Sequence, residues 1–192
     1  MAHETDHQAH RRRLVVAVFA RHEPAASAVE RLIERDVAPD ALSILGKSEG
    51  AGDDVLGISY DGIGERIKVW AGQGAFWGAL WGLLASAAGM FLVPGLGAVF
   101  AVGPVVEALA STAAGAAIGG ATMAGAAALT QLGVALHRMG VPEERLDHYH
   151  QAIAQGHYVI LARCGTADEA QALHTQLGMW GADEAEVFEY RP

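Results

Sequence analysis

The residues in this chain that could do chemistry are nine histidines and a single cysteine, Cys164. Two of the histidines, His148 and His150, lie close together in an acidic stretch beside Asp147. They are the candidate metal ligands. A helix that holds a metal offers its ligands three or four residues apart, on one face. His148 and His150 are two apart and point to different faces. A site built on them would need a further ligand, from His3, His7 and His10 near the N-terminus or from another subunit.

Cys164 stands between an apolar run and a helix start at Thr166, a position that can lower a thiol pKa. The spacing places no histidine as its base. The glycine-rich stretch Gly50–Gly57 lacks the Lys-Ser/Thr ending of a phosphate-binding loop and the spacing of a dinucleotide fingerprint. There is no G-x-S-x-G elbow. No catalytic residue and no cofactor is therefore assigned, and the expectation is a protein without enzymatic turnover.

The elements around these residues form two similar halves. Leu14–Ala20 is β-branched and aromatic, as in a buried strand. Glu23-Pro24 opens a helix marked by Ala28, Val29, Leu32 and Ile33 at helical spacing. A turn at 37–40 leads to a strand over 41–45. The C-terminal part repeats the plan with a strand over 157–163, a helix begun by a Thr166/Glu169 capping box, and a strand over 185–190. The two similar spans indicate a duplicated unit. Two β-α-β halves in series give an α+β, ferredoxin-like β-α-β-β-α-β domain, here split by a long insertion. The expected organisation is a His-rich tail over 1–13, a split domain over 14–47 and 157–192, and a linker over 48–68. A Gly/Ala-rich apolar hairpin over 69–139 and an amphipathic helix within 140–156 complete it.

The charges show where the insertion differs from the rest. Residues 1–68 carry nine basic and twelve acidic side chains, and residues 138–192 carry four and nine. Between them the only formal charge is Glu107. A water-facing helix needs a polar stripe, and 18 or more uncharged apolar residues suggest a membrane span. The expectation is a helical hairpin with arms over Val69–Leu92 and Val105–Met139. Arg66 and Lys68 at one mouth and Arg138 at the other place both ends on the cytoplasmic side, with Trp70 at interfacial depth. Gly74, Gly78 and Gly82, then Gly115 and Gly119, recur every four residues and allow close helix packing. Glu107 is expected as an acid buried in the hairpin, either for ion handling or as a charge at the helix start. With 13 basic against 22 acidic residues and a net charge of −9, a nucleic-acid partner is not expected.

Several segments resemble bacterial general-stress and heat-induced proteins. They are Val15–Ala20, the Ala28-Val-Glu-Arg-Leu helix and Pro39–Leu45. Gly95–Pro104 with the Gly/Ala-rich run after it also fits, as does Gly140–Arg145 followed by Tyr149, Ala152, Ile153 and Gly156. The likeness spans most of residues 14–163 and supplies no catalytic residues. It implies a bacterial, stress-linked protein facing the cytoplasm. The His-rich tail and His148/His150 depart from it. The combined expectation is a non-enzymatic, self-assembling scaffold at the inner membrane, its partners being itself and the lipid bilayer. The alternative is a soluble, cytoplasmic homo-oligomer with its hairpins buried together, binding or storing a metal or small ligand.

Overall fold

The structure, a computed structural model, describes residues 12–47, 88–93, 96–118 and 131–190. Six strands form one antiparallel sheet: β1 (Arg12–Phe19), β2 (Leu42–Lys47), β3 (Ala88–Val93), β4 (Gly97–Val102), β5 (Tyr158–Cys164) and β6 (Glu184–Tyr190). Their spatial order is β3-β4-β2-β5-β1-β6. Five helices accompany them among the described residues: α1 (His22–Glu34), α2 (Val105–Ile118), α3 (Gln131–Met139), α4 (Glu143–Ala154) and α5 (Ala167–Met179). The fold is α+β.

The period-two alternation of each strand decides what covers it. Val15, Ala17 and Phe19 of β1 join Ile160 and Ala162 of β5 in a core closed by Ala28 and Leu32 of α1 and Leu173 and Leu177 of α5. Leu14, Val16 and Val18 face the other way, with Val159 and Leu161, under α2, α3 and α4. The central strands are thus buried on both faces, which explains why Leu14–Phe19 reads as an unbroken apolar run. The two halves expected from the sequence are both present. The first strand of each half is central, and its second strand lies beside the first strand of the other half. Thr166 caps α5 by accepting from Glu169 N at 3.1 Å, while the Glu169 carboxylate accepts from Gly165 N at 2.9 Å. The amphipathic helix expected within 140–156 is α4.

The apolar hairpin over 69–139 requires correction. Residues 69–87 lie outside the described residues, but 88–93 and 97–102 are strands, joined as a β-hairpin with Met90 opposite Phe100. A short apolar run buried in a sheet has the same hydropathy as a buried helix, so periodicity could not separate them. The arm expected over Val105–Met139 is two helices folded back on each other. Arg138 Nη1 donates to Ser111 Oγ at 2.8 Å. One straight helix would hold those residues roughly 40 Å apart. No helix among the described residues is long and apolar enough to cross a membrane. Val105 and Leu109 of α2 and Leu132, Ala135 and Leu136 of α3 are buried in one core with the sheet and α4.

A buried hydroxyl fixes where α2 begins. Ser43 of β2 is fully buried, and its Oγ accepts from Val105 N at 3.3 Å, satisfying one of the free donors of the helix start. The chain enters through Gly103, whose φ of +85° is favourable only for glycine.

Candidate functional site

Among the described residues, the densest group of ionisable side chains sits where α4 meets β6. On β6 the even-numbered residues face α4: Glu184 lies opposite Val18, Glu186 opposite Val16 and Phe188 opposite Leu14. On α4, Arg145, His148 and Tyr149 stand three and four residues apart and so share the face above them. Arg145 bridges the two carboxylates, with Nη2 to Glu184 Oε1 and Nε to Glu186 Oε2, the latter at 2.8 Å. His148 Nε2 is 2.6 Å from Glu184 Oε2. Tyr149 donates its hydroxyl to Glu186 Oε2 at 2.8 Å. Its ring is fully buried, edge-on to Phe188, with the Arg145 guanidinium 5.7 Å from its centroid.

Each group in this cluster engages another. Burial, reinforced by the Glu186 carboxylate, raises the Tyr149 phenol above its ordinary range, so it donates and does not ionise near neutrality. The carboxylates accept from Arg145, Tyr149 and His148. Chemically this is a latch that anchors α4 to the sheet, with His148 as its most accessible member. Sequence reading missed Glu184 and Glu186. Their signal was the same-face spacing of two acids in a strand, set against Arg, His and Tyr at helical spacing.

The residues expected to act are scattered. His148 joins Glu184, whereas His150 lies on another face of α4, and its Nε2 has no hydrogen-bond partner among the described residues. The described residues contain no group of three or more His, Cys, Asp or Glu that could hold a metal. Glu107 is exposed in the first turn of α2, which corrects the expectation of a buried acid. It follows Pro104 and Val105 at a helix start, where the free N–H groups favour a negative charge facing water. Arg138 lies in the last turn of α3 and donates to Ser111 Oγ. Gly115 lies in α2. Arg66, Lys68, Trp70, Gly74, Gly78, Gly82 and Gly119 lie outside the described residues.

Cys164 is buried at 3% exposure. Burial, with the Glu169 charge adding to it, pushes its thiol up to about 12. The helix start beside it does not activate it, because desolvation of the thiolate outweighs the dipole. This has a stability consequence. Above pH ~9 the unfolded chain loses the thiol proton while the folded chain keeps it, so stability falls as pH rises toward 12. The limiting slope is ~1.4 kcal/mol per pH unit for the thiol, and Tyr149 adds a second such contribution above pH ~10. Urea midpoints measured from pH 8 to 11 should decline for the parent chain and decline less for Cys164→Ala. Equal slopes would remove the thiol from this account.

Comparison of the chain with protein-family models, with curated proteins and with solved structures finds no match.

Proposed function

We propose that the protein is a non-enzymatic, self-assembling scaffold of the stress-linked kind, attached to a membrane from one side by its uncharged segment. In this reading β6-β1-β5-β2, with α1 and α5 on one face, is a ferredoxin-like unit. The β3–β4 hairpin and α2 to α4 extend it and cover its second face.

The observation that carries one-sided attachment is topological. β2 ends at Lys47 and β3 begins at Ala88, and both belong to one sheet. The connection must leave and return on the same side of any bilayer. Its uncharged part, Val69–Ala87, has 19 residues. That length supplies one crossing of a ~30 Å hydrocarbon core, and a return trip needs roughly 40 residues. An in-plane position in one leaflet satisfies both constraints. Trp70, Trp77 and Trp81 suit the interface, and Arg66 and Lys68 suit anionic headgroups. The site is then the inner membrane, with the folded part facing the cytoplasm.

The test uses the full chain carrying Trp180→Phe, which leaves Trp70, Trp77 and Trp81 as its tryptophans, excited selectively over tyrosine. With vesicles containing anionic phospholipid, the expected result is co-flotation and quenching by lipids brominated on their acyl chains. Recovery in the aqueous fraction without quenching would refute membrane attachment. It would favour the alternative, a soluble homo-oligomer.

A further inference from the structure

We propose that β3 is the edge through which a second copy of this chain pairs, the two β3 strands running antiparallel about a two-fold axis at Phe91. This rests on the self-assembly reading above and names its interface.

The two outer strands of the sheet differ in kind. An exposed strand edge is a template for another strand, and proteins commonly defend it with charges. β6 is defended: Glu184 and Glu186 turn toward α4, and Glu189 pairs with Arg13 at 2.5 Å. β3, Ala-Gly-Met-Phe-Leu-Val, has no charge and no proline. Among the described residues it has a neighbour on one side only.

Its side chains are sorted by face. Phe91 and Val93 pack into the core under α2. Met90 and Leu92 point the other way and are 62% and 81% exposed. An antiparallel partner preserves the faces only if paired positions have the same parity. With the axis at Phe91, Met90 of each copy lies opposite Leu92 of the other. The four exposed side chains then form one apolar row across the junction, at cross-strand contact distance. The strand is self-complementary in this register.

Charge selects the same edge. Each copy carries −9, so two copies repel over most approaches. Strands β3 and β4 together contain no ionisable side chain, which makes this edge an approach of low repulsion. Six residues a side bury far less than the ~1,200–2,000 Å² of stable complexes. The pairing is therefore weak by itself and populated at high local concentration, as on a membrane surface.

Sedimentation of the full chain over about 10 µM to 1 mM should show a monomer–dimer equilibrium. Leu92→Lys introduces one charge at a side chain exposed in the monomer, and it also lowers the net repulsion between copies. It should weaken the dimer at least ~10-fold. For the register, mixing the single variants Met90→Cys and Leu92→Cys under mild oxidation should yield the mixed disulfide in preference to either self-disulfide, with the buried Cys164 taking no part. An unchanged dimer constant for Leu92→Lys, or self-disulfides as abundant as the mixed one, overturns this pairing while leaving self-assembly intact. A chain that stays monomeric throughout the range overturns both.

Discussion

Gly103→Ala is expected to lower stability by roughly 3–5 kcal/mol, a large part of the ~5–15 kcal/mol that holds a domain together. Two effects add. The backbone at 103 has φ +85°, which costs a residue with a β-carbon ~1–3 kcal/mol. The new carbon would also stand 2.0 Å from the Leu42 carbonyl oxygen. That oxygen belongs to a strand held between β4 and β5, so it has little room to withdraw. Gly97→Ala separates the two effects. Its φ is +84°, yet no described atom lies within 4 Å of the added carbon, so it should show the backbone cost alone, about 1–3 kcal/mol. Urea unfolding of both variants measures the difference. Equal losses would mean that the approach of Gly103 to Leu42 matters little.

Tyr149→Ala is expected to cost about 3–5 kcal/mol, and Tyr149→Phe only ~1–2 kcal/mol. The alanine variant empties a fully buried ring site against Phe188 and removes the surface on which Arg145 lies. The phenylalanine variant keeps the ring and deletes one hydrogen bond, while Glu186 retains Arg145 at 2.8 Å. Thermal or urea midpoints for the pair divide ring burial from the hydroxyl contact. If the phenylalanine variant were as damaging as alanine, the hydroxyl-to-carboxylate contact would be the main fastening of α4, and the ring secondary.

How much of this was legible in the sequence depends on the kind of signal. Leu14–Ala20, the 3.6-residue spacing of Ala28 to Ile33, and the Thr166/Glu169 box each carry a local pattern, and β1, α1 and α5 stand close to where those patterns place them. The segment 88–139 carries no such pattern, because Gly, Ala and Val dominate it and charge is almost absent. Whether lipid, a sister subunit or the chain's own sheet covers an apolar side chain leaves no trace in its identity. Leu109 and Leu132 are buried in the chain's own core, as they could have been buried by either alternative. The candidate site was hidden for a related reason. Glu184 and Glu186 meet Arg145 across some forty residues of chain, and only the crossing of α4 over β6 brings them together.

The central place of β1 also orders events in time. Its register partners begin at Tyr158 and Glu184, so Val18 waits for Val159, 141 residues later in the chain. At ~5–20 residues per second of synthesis, the run Leu14–Phe19 has no native neighbour in the sheet for roughly 7–30 s. Meanwhile β2, β3 and β4 can pair with one another as soon as Val102 has emerged. On the face under α2, α3 and α4, their helical cover needs nothing beyond Ala154. The inserted part with β2 is thus the piece able to assemble first on the ribosome, and β1, β5 and β6 close onto it last, leaving Leu14–Phe19 as the stretch most in need of chaperoning.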